Sequence, residues 1–155
     1  MHALRAVVKR HLWLASVSAA ALFAAGCAPT SSPSPSASPS ASGANVVLSG
    51  SQEVPPVNTA ATGGGTITVL MDRSVFGSVT TTGVAATMAH IHLGARGQNG
   101  PVIVPLNKTG DSTWSVPASI RLNDTQYEAY RLGNLYVNVH SAANPGGEIR
   151  GQITP

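Results

Sequence analysis

Met88-Ala89-His90-Ile91-His92-Leu93 and Leu135-Tyr136-Val137-Asn138-Val139-His140 decide how this chain folds. In the first, Ala89, Ile91 and Leu93 fall on one side of a period of two, and His90 and His92 on the other. In the second, Leu135, Val137 and Val139 oppose Tyr136, Asn138 and His140. Strand side chains point alternately to opposite faces, so each segment reads as a strand with one aliphatic and one polar face. With the aliphatic sets in a core, all three histidines point outward. Beyond His140, Asn144-Pro145-Gly146-Gly147 reads as a turn. The chain then returns with Ile149 and Ile153 inward and Glu148, Arg150 and Gln152 on the face of His140.

The same reading extends across residues 45–155. Val, Ile and Thr supply 31 of these 111 residues, interrupted by 14 Gly and 7 Pro. β-Branched side chains suit a pleated, half-buried surface, and the breakers recur too often for long helices. Strands are expected at 45–50, 65–71, 75–81, 88–93, 102–106, 113–116, 135–140 and 148–153. Seven or eight short strands predict an all-β domain, an antiparallel immunoglobulin-like sandwich or small barrel. One short helix is predicted over 125–132, with Asp124 as its cap, Thr125 and Glu128 as a capping box, and Gly133 as its stop. Gln52-Glu53-Val54-Pro55-Pro56-Val57 reads as an edge segment, because two prolines cannot donate ladder hydrogen bonds.

Residues 1–26 read as a secretory leader. Arg5, Lys9 and Arg10 precede an uncharged stretch over residues 12–25, shorter than the about 20 residues a spanning helix needs. Ala24-Ala25-Gly26-Cys27 resembles the lipobox of bacterial lipoproteins, with Ala24 where that family usually has a larger aliphatic residue. The resemblance implies cleavage before Cys27, lipid attachment to it, and an extracytoplasmic protein held to a membrane. The other reading is a soluble secreted protein. Residues 27–44 contain the run TSSPSPSASPSAS at 30–42, which has nothing large to bury and reads as a disordered linker. At about 3.1 Å per residue, the run spans roughly 40 Å when extended. An O-glycosylated stalk is the alternative.

Charge and cysteine content narrow the function. The chain carries nine Lys and Arg against six Asp and Glu. Three of the basic residues lie in the leader, so the remainder is near neutral and lacks the basic footprint of a nucleic-acid binder. Cys27 is the lone cysteine, which excludes a disulfide-stapled domain. No Gly-x-Ser-x-Gly and no paired carboxylates mark an enzyme. Arg96, at the tip of Gly94-Ala-Arg-Gly-Gln-Asn-Gly-Pro101, is either an anion contact or a solvated side chain.

The histidines leave two readings open. Imidazoles at i and i+2 on a strand stand about 6.5–7 Å apart at Cα. That allows His90 and His92 to converge on one ion, with His140 completing a three-histidine site for copper or zinc. Alternatively the rings hydrogen-bond loop backbone and fix residues 94–100 over the sheet. Glu148 either accepts a hydrogen bond from a ligand ring, as outer partners of metal sites do, or pairs with Arg150.

Three blocks then carry a resemblance: LSGSQEVPPV at 48–57, AHIHLG at 89–94 with GPV at 100–102, and LYVNVH at 135–140 with NPGGEIRGQI at 144–153. They resemble the CHRD domain, named for its repeats in the animal protein chordin and also found singly in microbial secreted proteins. The resemblance implies an immunoglobulin-like or barrel-like β fold. Chordin's growth-factor binding belongs to another context and does not transfer with the fold. His90, His92 and His140 bear a weaker resemblance to the histidines of copper–zinc superoxide dismutase, without that family's bridging histidine or its disulfide. The expectation is a displayed binding or structural module rather than an enzyme. Its ligand is one copper ion, or zinc; its protein partner is unspecified. A copper redox centre is a third reading.

Overall fold

A computed structural model describes residues 43–155. The leader, Cys27 and the Ser/Pro run lie outside the described residues. Nine strands form: β1 (Ala44–Ser49), β2 (Thr62–Val69), β3 (Val75–Thr82), β4 (Ala86–Leu93), β5 (Val102–Pro105), β6 (Asn107–Lys108), β7 (Thr113–Ser115), β8 (Leu135–Ser141) and β9 (Ile149–Ile153). A short 3-10 turn, Gly50–Gln52, follows β1, and one helix, α1 (Asp124–Arg131), precedes β8. Each of the eight expected strands is present with ends shifted by up to three residues.

The additional strand, β6, is only two residues long and carries no periodic signal. It nevertheless decides the architecture. The sheet runs β5-β4-β8-β9-β1-β2-β3-β7-β6, and all neighbours are antiparallel. Its two end strands, β5 and β6, are separated in sequence by Leu106 alone. Leu106 donates its N–H to Ala89 O at 2.9 Å, and Asn107 then pairs with Ser115 of β7. One stretch of chain thus serves both ends of the sheet, which curls into a nearly closed barrel. Such closure leaves few free edges for association.

The barrel interior is aliphatic. Val46, Leu48, Ile67, Val79, Ala89, Ile91, Leu135, Val137, Val139, Ile149 and Ile153 are essentially inaccessible, with Trp114 among them. Helix α1 adds Tyr130 to this core. Its cap is Asn123, not Asp124: Asn123 Oδ1 accepts from Gln126 N–H at 2.8 Å, and Gln126 Oε1 accepts from Asn123 N–H at 3.0 Å. The cap sits one residue earlier than expected and the box two, because Asn123 and Gln126 fit the pattern as well as Thr125 and Glu128 do. Gly133 ends the helix in the left-handed region at φ 71°, where glycine carries no Cβ penalty.

The outer face of β8 and β9 departs most from expectation. Every residue of both strands is buried. The polar faces point away from the aliphatic core, as their alternation requires, but into a second polar layer rather than into water. Residues 50–57, 94–100 and 144–147 cover them. The Glu53 segment is therefore a cover over the sheet and not an edge: Glu53 is 5% exposed, and Val54 O accepts from Asn99 Nδ2 at 2.7 Å.

Candidate functional site

The β4–β8 register sets His92 opposite Tyr136 and His90 opposite Asn138. His140 lies near the end of β8, opposite Met88 and two pairs further along. The three rings meet, with centroids 5.7 Å apart for His90–His92, 4.9 Å for His90–His140 and 6.1 Å for His92–His140. One nitrogen from each ring lies within 4.8 Å of the others. His92 and His140 are buried, and His90 is partly exposed.

Two hydrogen bonds define the tautomers. His92 Nδ1 donates to Gly100 O at 2.9 Å, and His140 Nδ1 donates to Pro145 O at 3.0 Å. A carbonyl only accepts, so both rings carry their proton on Nδ1 and a lone pair on Nε2. His90 Nδ1 lies 3.0 Å from His140 Nε2 and is the donor of that pair. His92 Nε2 is buried and has no hydrogen-bond partner among the described residues. Burial is the leading cause that holds all three imidazoles below their ordinary pKa of 6.5; for His90 the neighbouring rings add to it. Three neutral rings with convergent nitrogens are what a borderline metal cation needs.

A stack buttresses the cluster. His92 lies against Tyr136 with centroids 4.8 Å apart and planes 14° from parallel. The Arg150 guanidinium covers the other side of Tyr136 at 3.4 Å. Arg150 also donates to Ala95 O, Gln98 O and Asn99 Oδ1 at 3.0, 2.8 and 3.3 Å. Gly100 is held twice, its carbonyl by His92 and its N–H by the Tyr136 hydroxyl at 3.1 Å. A Cβ on Gly100 would collide with Leu93 O, so only glycine allows this approach.

Glu148 lies apart from the rings. Its carboxylate accepts from Thr59 Oγ1 at 2.9 Å and, in a short hydrogen bond, from Ser141 Oγ. The Ser141 bond is the main cause that keeps its carboxyl below the ordinary range. It meets neither a histidine, the contact expected of an outer partner, nor Arg150. Ser141, next to His140 on β8, takes the place the sequence reading gave to a ring. Arg96 is exposed and donates to Gln52 Oε1 at 3.4 Å.

Glu53 is the residue the sequence reading missed. Its Oε2 accepts from Asn138 Nδ2 at 3.1 Å, while Glu53 Oε1 and Asn138 Oδ1 are buried without partners among the described residues. Burial pushes the Glu53 carboxyl up to about 7 against the opposing pull of Arg150. Asn138 between Val137 and Val139 was the available signal, since a buried amide on the histidine layer needs a partner from the chain above it.

The family profile of the CHRD domain matches residues 44–153, most of the chain. The chain belongs to the CHRD domain family. Comparison with curated proteins and with solved structures gave no match. In this CHRD domain the matched span begins at β1 and ends with β9, so the barrel, its polar cover and the three histidines all lie within it.

Proposed function

We propose that this CHRD protein is a lipid-anchored extracytoplasmic module whose β domain binds one transition-metal ion through His90, His92 and His140. The observation that carries the reading is the pair of Nδ1 hydrogen bonds to Gly100 O and Pro145 O. They turn Nε2 of His92 and His140 into lone-pair donors beside His90, as outer partners of ligand histidines do. Copper(II) stands above zinc in affinity for such nitrogen sets. Binding would replace the His90–His140 hydrogen bond, with the His90 proton moving from Nδ1 to Nε2 and leaving Nδ1 free to ligate. The role is retention of an ion by a rigid sheet, with no substrate turnover.

Titration calorimetry of the purified chain with copper and zinc tests this. One ion per chain is expected. His92→Ala should weaken binding by more than the about 10–100-fold that loss of an outer partner costs. Affinity should fall with acid from below pH 6.5, since burial delays protonation of the rings. No saturable binding, or wild-type affinity in the His92 variant, overturns the reading.

The same two bonds support a second reading, in which the histidines order the polar cover and the domain is a structural or protein-interaction surface module. A metal-free His92→Ala chain that melts well below wild type, with no metal uptake by either, would favour it.

The anchor rests on Cys27 and the small residues before it. Cys27→Ser should release the protein from membranes and abolish fatty-acid labelling. Continued labelling would refute the assignment.

A further inference from the structure

We propose that Met88 is a fourth donor of the three-histidine site and that its thioether fits the site to copper(I). The inference rests on the metal-binding reading above and extends it to a ligand and an oxidation state.

The period of β4 puts Met88 on the same face as His90 and His92. The register pairs Met88 directly with His140. Directly opposed residues of an antiparallel pair hold their Cβ atoms about 4.5–5.5 Å apart. Met88 therefore flanks both His140, across the ladder, and His90, two residues along its own strand. An unbranched side chain with three rotatable bonds can span that distance from several directions. The β4–β8 pairing also shifts register between Ala86 and Met88. Such irregularities re-aim a side chain and recur beside functional sites.

Burial separates Met88 from its neighbours. His92, Asn138, Tyr136 and His140 are all under 9% exposed, yet Met88 is 48% exposed. A large apolar side chain thus stands open at the lip of a buried polar cluster, where hydrophobic burial gives no reason for it.

The donor chemistry supplies one. Thioether sulfur is a soft ligand that selects copper(I), whereas zinc sites draw on thiolate, imidazole and carboxylate. Both carboxylates of this polar layer are engaged elsewhere: Glu53 with Asn138, and Glu148 with Thr59 and Ser141. Three neutral imidazoles and a thioether add no negative charge, and a set without anionic donors favours the lower copper charge.

The test compares the full chain with Met88→Leu, a swap of similar volume at an exposed position that should leave the fold intact. Met71→Leu is the control. Met71 is 86% exposed in the β2–β3 turn, and β2 is three strands from β8 in the sheet. Copper(I) is supplied anaerobically with ascorbate against a chromophoric copper(I) chelator, and zinc is titrated separately. Wild type and Met71→Leu should each bind one copper(I). Met88→Leu should lose about tenfold or more in copper(I) affinity with zinc affinity unchanged. Each tenfold loss specific to copper(I) lowers the one-electron copper potential by about 59 mV. X-ray absorption should find a sulfur neighbour of copper(I) in wild type and none in Met88→Leu. Wild-type copper(I) affinity in Met88→Leu, or no sulfur neighbour in the wild type, overturns the role of Met88 even where His92→Ala loses both metals. If wild type takes up neither metal, the three-histidine reading fails and this inference with it.

Discussion

The Arg150 guanidinium lies 3.4 Å over the Tyr136 ring, and both side chains are 1% exposed. Arg150 is buried without a carboxylate in contact. Its donors go to Ala95 O, Gln98 O and Asn99 Oδ1, so it acts as a peg that fastens residues 94–100 to the sheet. Arg150→Met keeps much of the volume but removes every donor. Each buried acceptor left unpaired costs about 1–3 kcal/mol. Because Gln98 and Asn99 lie near water, the expected loss is about 3 kcal/mol in urea unfolding. Arg150→Lys should recover little, since an ammonium lacks the planar fork and the stacking face. Wild-type stability in the lysine variant would contradict the peg.

Glu148→Gln separates the two contacts expected of this residue from the ones it makes. Its carboxylate accepts from both Thr59 and Ser141. A glutamine offers one carbonyl oxygen and an NH2, so one hydroxyl donor loses its acceptor. The expected result is a loss of about 1–3 kcal/mol in stability, with metal affinity unchanged. A loss of about 10–100-fold in affinity at full stability would instead make Glu148 an outer partner of the site.

Much of this was legible because β structure repeats every two residues. The alternation in β4 and β8 fixed which side chains share a face, and so placed His90, His92 and His140 on one layer. Alternation does not say what lies above a face. Only the fold brings residues 50–57 and 94–100 over β8 and β9, which is why His92 and His140, expected to face outward, are in fact covered and Glu53 was read as part of an edge. Glu148 is a separate case. It sits where the β8–β9 turn enters β9, outside the paired register, so the side-chain alternation that placed Arg150 does not reach it. Barrel closure was likewise invisible, since β6 is two residues long and Leu106 alone separates it from β5.

Helix α1 gives a local test of its start. Asn123 and Gln126 exchange two hydrogen bonds, and removal of such a cap costs about 0.5–2 kcal/mol. Asn123→Ala should therefore lower stability by about 1 kcal/mol. Asp124→Ala should cost less, because Asp124 contributes only an exposed ion pair with Arg73, and exposed pairs contribute about 0–1 kcal/mol. Equal losses in the two variants would return the cap to Asp124.

The polar layer also sets how metal-free stability depends on pH, through two opposing groups. Burial holds the three imidazoles below 6.5 in the folded chain. Below pH 6.5 the unfolded chain therefore takes up protons first, and stability falls as pH falls. Glu53 behaves oppositely. Its pKa rises from 4.5 in the unfolded chain to about 7 in the folded one, so the folded state holds the extra proton between those values and stability falls as pH rises through them. Both groups titrate between pH 5 and pH 8, so Glu53 offsets part of the stability the imidazoles return as pH rises. The wild-type metal-free chain should therefore gain less stability from pH 5 to pH 8 than a chain without the Glu53 carboxyl. Glu53→Gln keeps an acceptor for Asn138 and removes the ionisable group. Its stability should rise more steeply with pH than that of wild type and equal or exceed wild type at pH 8. Urea midpoints with a chelator present, at pH 5, 6, 7 and 8, decide the matter. The same pH dependence in both chains would leave Glu53 ionised beneath its cover.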